Sequence, residues 1–471
     1  MYKLIFISIL ISSFIPSFPY DLPEEKIKKL DEMINTQLKD ANLNTVGLII
    51  INSHTVLHKK IYGEHSEVPT KKPFIIGSVS KSFTALGILN LEIDLNQTLD
   101  KFDLDDYIDK DDAKEITISE LLNHTSGLDS FSSDRIFKKG FFNYSNYGFG
   151  LLGKIIEKQS KLSYQEYIKE KIFSPLGMSD TYAEYNSEII DSYNNFLGFR
   201  TKYGDVKSDM GVNGFYIPAG FISSSMDDMG KYLGFYLDPK NKKYIDQMTK
   251  GTIEIGYNTQ YGMGMMIQKT KNITIYKHTG ETLSFKSLLT VYPEIDLAFF
   301  IVTNTQDFFC SIPSQEFIDN IEKFLLYDTY DDINSSLFFY VHFTFDMIFF
   351  FFISLPVVYM VISIVRKIKK TKYSWFIGGK GKCIFILDLF LLIIMPIIII
   401  LSFYLNSLTK YLIRGNRDFQ FLIWTIFAVS LFTFIIKLAY VFIYNKYLKK
   451  FEIKDIKDIN DKDLDYIGMN E

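Results

Sequence analysis

Residues Phe74 to Leu89 read FIIGSVSKSFTALGIL, with three serines and one lysine inside the five positions Ser78 to Ser82. The apolar residues that follow, Phe83, Leu86, Ile88 and Leu89, keep roughly helical spacing, and Gly77-Ser78 makes a helix start, so the polar cluster falls on the first turn. A serine hydroxyl is a weak nucleophile until a neighbour takes its proton, and a lysine desolvated enough to lose its own proton can do so. Of the three serines only Ser78 has a lysine three positions on, Lys81, and residues i and i+3 share a helix face. Ser80 and Ser82 point elsewhere. The backbone N–H of Ser78 also lies where helix-end donors favour developing negative charge. The G-x-S-x-G turn of Ser-His-Asp hydrolases is absent.

Outward from this stretch, EEKIKKLDEMINTQL upstream is patterned as a helix, and NTVGLIIINSHTVLHKKIYG as a β-hairpin turning at Asn52-Ser53-His54. Downstream, ITISELLNHTSGL holds a short helix before a turn, with His124 as a structural turn residue, and Tyr144 to Gln159 resumes a helix. A further helix starts near Ser225 or Asp227. Strand-like runs return in MGMMIQK, ITIYKHTG, FKSLLTVYP and LAFFIVTNT, and a last helix covers about Ser314 to Leu326. Strands at both ends with helices between them imply an α+β domain whose sheet is closed by distant parts of the chain. GFGLLGK, Gly148 to Lys154, imitates a nucleotide-binding loop. No strand precedes it, Ile155 stands where a phosphate loop needs Ser or Thr, and its glycines read as helix-packing positions.

Two more motifs join the first. NYSNYG supplies Tyr144 and Asn146, and KHTGE supplies His278, Thr279 and Gly280 at the start of a predicted strand. In chain order S-x-x-K, Y-x-N and H-T-G resemble the three motifs of the penicillin-recognising serine hydrolases, in the branch of class C β-lactamases, D,D-peptidases, D-aminopeptidases and related esterases. The resemblance spans about Thr45 to Asn304 and includes ISELLNHTSGL, YSNYGFGLLGKIIE, PAGFISSSMDDMGKYL and the stretch from HTG to YPEIDLAFFIVTN. It implies a β-lactamase/transpeptidase-like fold over residues 22–330, an antiparallel sheet flanked by helices with a helical subdomain.

The resemblance also implies roles. Ser78 is expected as the acylated nucleophile, Lys81 as the partner taking or relaying its proton, and Tyr144 as general base and then donor to the leaving group. At an ordinary phenol pKa of about 10 that requires nearby cations favouring phenolate, or a proton shared with Lys81. Asn146 is expected to hold the substrate amide or ester, and His278, Thr279 and Gly280 to form the opposite wall. The N–H groups of Ser78 and Glu281 then make the oxyanion hole. His278 stands where many relatives have lysine, and an imidazole is only partly charged at neutral pH, so its grip on a substrate carboxylate is conditional. The substrates implied are amides or esters, D-alanyl groups of cell-envelope polymers among them, with weak β-lactam turnover at most. No metal or organic cofactor is called for.

The ends of the chain read as membrane segments. Lys3 followed by LIFISILISSFI gives residues 1–20 the form of a signal peptide without a clear small-x-small cleavage site. Residues 337–365, 384–405 and 419–444 are apolar runs long enough to cross a bilayer as helices. Seven Lys+Arg in Arg366–Lys382, against three in Asn406–Arg417, put the first loop and the 445–471 tail in the cytoplasm and residues 22–335 outside. Asp346, Asp388 and Lys437 fall inside these runs; Asp388 and Lys437 are expected either to pair or to snorkel and bond locally. A composition of 47% apolar residues, 16% of the chain aromatic, agrees with a part in lipid.

Charge narrows the partners. Residues 1–330 hold 34 Lys+Arg against 43 Asp+Glu, a balance of −9 with no basic patch for nucleic acid. Six histidines and two cysteines, Cys310 and Cys383, write neither a zinc site nor a disulfide framework. The partners expected are therefore a small-molecule or cell-envelope acyl substrate and the lipid bilayer. A second reading is a sensor in which one acylation persists and is signalled through the helices; a third is a transport or assembly platform resting on the intramembrane charges.

Overall fold

The computed structural model describes residues 20–334 apart from 42, 65, 185–197, 202–203, 207–213, 257, 271–272, 283–284 and 307–311. All of them belong to one of the chain's two compact units, Met1–His342. The signal-like start, the three apolar runs, Asp346, Asp388, Lys437 and the tail lie outside the described residues. Among those described, no helix is long and apolar enough to cross a membrane.

An eight-stranded antiparallel sheet forms the centre. Its order is Val56–Gly63, Thr45–Ile51, Leu297–Thr303, Lys286–Tyr292, Thr274–Glu281, Met266–Lys269, Thr259–Tyr261 and Ile253–Gly256. Thr45–Ile51 therefore lies beside Leu297–Thr303, from Val46 opposite Thr303 to Ile51 opposite Ala298, and distant chain segments close the sheet as the sequence implied. The first hairpin turns where Asn52 Oδ1 accepts the N–H groups of His54, at 2.9 Å, and Thr55, at 2.8 Å.

Both Thr45–Ile51 and Leu297–Thr303 are buried on both faces because each face is covered by helices. Val46, Leu48 and Ile50 join Leu297, Phe299 and Ile301 in one apolar cluster under the terminal helices Glu24–Asp40 and Ile312–Tyr327. Ile49 and Ile51 join Ala298, Phe300 and Val302 in the other, under Ser80–Asn90 and Met226–Leu237. Each fully buried Leu, Ile or Phe contributes about 1.5–3 kcal/mol of transfer free energy, so the alternation fixes the register of the sheet. In Glu24–Asp40 the buried Leu30, Met33, Ile34, Gln37 and Leu38 make one stripe, with Glu24 and Glu25 at the positive end of the helix dipole.

The serine helix, Ser80–Asn90, is different: every residue from Ser80 to Leu89 is buried, so no face is left to water. It packs against Asn146–Ser160, which carries the imitation nucleotide loop. A side chain at Gly150 would come within 2.2 Å of the Phe215 ring, and one at Gly153 within 2.4 Å of Pro218 Cγ. Those glycines are packing positions.

Candidate active site

The extended pair Phe74–Ile75 leads into a tight turn, Gly77–Val79, from which the serine helix starts. Gly77 has φ +56°, and a Cβ there would stand 2.6 Å from the Glu281 backbone nitrogen. At Gly280 a Cβ would stand 2.1 Å from the Ile76 carbonyl oxygen. Only glycines allow these two backbones to touch, and the contact sets Gly77-Ser78 beside Gly280-Glu281. Strand pairing leaves room for it. Thr274–Glu281 pairs with Lys286–Tyr292 as far as Glu281, but with Met266–Lys269 only over Thr274–Lys277. The turn holding Ser78 fills the notch beside residues 278–281, at the end of that strand rather than at its start as the sequence implied.

The other two serines serve the frame. Ser80 Oγ donates to the Gly77 carbonyl at 2.7 Å and accepts the Ile222 N–H, while Ser82 Oγ donates to the Val79 carbonyl and accepts the Tyr232 hydroxyl. Lys81 turns inward and is fully buried. Its Nζ lies 2.6 Å from Asn146 Oδ1, 2.6 Å from the Ala219 carbonyl oxygen and 3.2 Å from Ser78 Oγ. Loss of hydration pushes its pKa well below the ordinary lysine value. No carboxylate stands among these contacts to hold the charge.

Tyr144 hydrogen-bonds Ser78, and its ring lies under the ammonium position of Lys81 at 4.7 Å. Burial, and then the Glu281 carboxylate, raise its pKa, with the Ser78 hydrogen bond pulling the other way. The expectation of a phenolate favoured by nearby cations is therefore corrected: burial acts on both groups, making Tyr144 a firmer acid holder and Lys81 the easier proton acceptor. Asn146 is the first residue of its helix, where Ser145 caps by accepting the Gly148 N–H at 3.0 Å. Thr279, Gly280 and Glu281 line the notch opposite Ser78, and the Glu281 carboxylate reaches buried Lys286 at 3.5 Å.

His278 is buried, and both of its nitrogens are engaged inside the protein. Nδ1 lies 2.6 Å from the Thr279 carbonyl oxygen, which can only accept, so Nδ1 carries the proton. Nε2 lies 3.0 Å from the Tyr261 hydroxyl. That hydroxyl also meets Nε2 of His124, at 3.2 Å, while Nδ1 of His124 accepts the Ser145 N–H at 3.1 Å. A neutral His124 must then carry its proton on Nε2, which makes Tyr261 its acceptor and the donor to His278. The hydrogen bonds run one way, Ser145 to His124 to Tyr261 to His278 to Thr279, and tie the Tyr144–Asn146 motif to the His278–Gly280 motif. Burial depresses both imidazoles, His124 well below its ordinary pKa and His278 to about 3, and any proton on Lys81 acts in the same sense. The structure makes His278 neutral, not partly charged.

Sequence reasoning placed His124 as a turn residue, and its φ of +58° agrees. It missed that the ring packs on Tyr144 with centroids 4.2 Å apart, and it missed Tyr261 and Lys286 altogether. Among the described residues no group of three or more His, Cys, Asp or Glu is placed to hold a metal ion.

Known proteins resemble this chain. Protein flp of Staphylococcus aureus (strain MRSA252) is 25% identical over 327 residues, 60% of this chain and 64% of its own length. Beta-lactamase-like protein 4 of Dictyostelium discoideum is 26% identical over 259 residues, 45% of each chain. Among solved structures, the octameric penicillin-binding protein homologue from Pyrococcus abyssi superposes with a TM-score of 0.54 at 24% identity, over 64% of this chain and 77% of that one. A D-amino acid amidase from Ochrobactrum anthropi SV3, complexed with L-phenylalanine amide, gives 0.52 at 21% identity, over 63% and 98%. The two structures establish the common fold. Residues 30–311, well over half of the sequence and all three motifs with it, match the model of the family described as Beta-lactamase, and the chain belongs to that family of serine hydrolases.

Proposed function

We propose that this chain hydrolyses an amide or ester through an acyl-enzyme on Ser78. The observation that carries the reading is Lys81, a buried amine 3.2 Å from the Ser78 hydroxyl. A neutral amine has two N–H groups and one lone pair. The Ala219 carbonyl and Asn146 Oδ1, each at 2.6 Å, take the two N–H groups, which leaves the lone pair for the Ser78 proton. Ser78 Oγ attacks the substrate carbonyl carbon as its proton passes to Lys81. The N–H groups of Ser78 and Glu281 receive the oxyanion. When the C–N or C–O bond breaks, Tyr144 protonates the leaving group, and the Lys81 ammonium returns a proton to Tyr144. Water then repeats the sequence on the acyl ester and regenerates Ser78.

D-alanyl groups of cell-envelope polymers are the proposed substrates, with the domain outside the cytoplasm and held by the runs at 337–365, 384–405 and 419–444. The basic Arg366–Lys382 loop supports that orientation. A fluorophosphonate probe on the purified full chain tests the reaction: one adduct per chain, on Ser78 and lost in Ser78→Ala. Product release from an activated ester in large excess over protein separates turnover from a single persistent acylation of the sensor kind. Failure of Ser78-dependent labelling at both acid and alkaline pH would overturn the reading.

A further inference from the structure

Among the described residues the wall opposite Ser78 offers no open cation. His278 spends Nδ1 on the Thr279 carbonyl and Nε2 on the Tyr261 hydroxyl, and it is 1% exposed. Among the described residues three lysines come near, and each is engaged. Lys81 lies beneath the serine, held by Asn146 and Ala219. Lys286 is buried behind the strand against the Glu281 carboxylate and Ser314 Oγ. Lys277, one residue before His278 and so on the other face of the strand, donates to Gln268 Oε1 at 2.8 Å. The charge that does face the notch is negative: Glu281 has a side chain 55% exposed and acts on Tyr144.

A carboxylate entering such a wall loses its water and gains no positive partner among the described residues, while meeting Glu281. A neutral amide or ester group needs only backbone and hydroxyl partners, which the end of the strand supplies. We infer that the His124–Tyr261–His278 chain, by locking His278 away from the substrate, makes this site select acyl compounds that carry no carboxylate on the leaving-group side. This rests on the acyl-enzyme reading above and narrows it: terminal D-alanyl esters and amides are accepted, whereas peptides ending in a free carboxylate and β-lactams, which bear one beside the ring, are disfavoured.

The test compares acylation of the full chain by a fluorescent penicillin and by a neutral fluorophosphonate, alongside kcat/KM for a peptide ending in D-alanyl-D-alanine and for its C-terminal amide. The amide form is expected to be favoured by at least about tenfold. His278→Lys should raise the penicillin-to-fluorophosphonate rate ratio by at least about tenfold, and Tyr261→Phe, which frees Nε2 of His278, should raise it in the same direction. The fluorophosphonate rate reports whether each variant keeps a working Ser78, so a folding defect in His278→Lys leaves Tyr261→Phe and the substrate pair to decide. Equal or better use of the carboxylate form by the native chain, or a ratio unmoved in a variant that still labels, overturns the inference alone. No fluorophosphonate labelling of native Ser78 overturns the acyl-enzyme reading and this inference together.

Discussion

At the scale of single residues, burial sets each proton. His278 is buried and meets no carboxylate among the described residues, and the neutral form wins even though its ring lies at the centre of the site. Side-chain nitrogen NMR should find His278 protonated on Nδ1 and His124 on Nε2, both unchanged as pH falls from neutral toward about 5, well past the ordinary histidine value; titration of either ring near 6.5 would contradict the network. Ser78 and Lys81 were legible in the sequence because one helical turn relates them, and that relation needs no tertiary information. Tyr261 was not, since its partner His124 lies 137 positions away and no local pattern marks the pair. The surroundings of Tyr144 were not legible either: of the two routes the sequence left open, a phenolate favoured by cations or a proton shared with Lys81, the first is opposed by burial and by the Glu281 charge at the end of Thr274–Glu281.

Among elements, the decisive contact is between a turn and a strand end, Gly77 against Gly280. Gly280→Ala must push its methyl into the Ile76 carbonyl and the Ser287 hydroxyl, which themselves hydrogen-bond at 2.8 Å. The expected cost is about 1–3 kcal/mol, with acylation slowed further because the Glu281 N–H leaves its place. Gly234→Ala, in the helix Met226–Leu237 with nothing within 4 Å of the new methyl, should instead be neutral or stabilising. Thermal melts and fluorophosphonate rates of the two variants check both; a native-like Gly280→Ala would contradict the packing argument. The four strand runs read after residue 260 appear as strands, because alternating or continuous β-branched and aromatic residues mark them. Ile253–Gly256 and Thr259–Tyr261 escaped notice: they are short strands at one end of the sheet, Ile253–Gly256 at its edge, broken by Gly256 and by Asn258 at φ +51°, so their pairing is set by neighbours rather than by composition.

For the whole folded domain, two buried neutral imidazoles couple stability to pH. The unfolded chain binds a proton at His278 near its ordinary 6.5, the folded one only near 3. Between those values the unfolded state therefore holds more protons. The contribution is complete above about pH 6.5 and is lost as pH falls toward 3, at up to about 1.4 kcal/mol per pH unit. His124 acts in the same sense. Thermal melts should show stability falling below about pH 6.5, with a shallower fall in His278→Gln; equal slopes in the two proteins would contradict this. The two-cluster plan around a sheet closed by Thr45–Ile51 and Leu297–Thr303 was legible because hairpin and strand patterns stand at both ends of the domain. The crossing of the two histidine-bearing segments at Tyr261 was not, since it depends on how the helical half is laid on the sheet.

The central claim is that Ser78 reacts because Lys81 is neutral, and the rate of fluorophosphonate acylation as a function of pH tests it most directly. The rate should rise along one titration whose midpoint lies well below the ordinary lysine value of about 10.4, and Lys81→Met should abolish both the titration and nearly all of the rate. A midpoint at the ordinary lysine value, or a Lys81→Met chain acylated on Ser78 as fast as the native one, would contradict it.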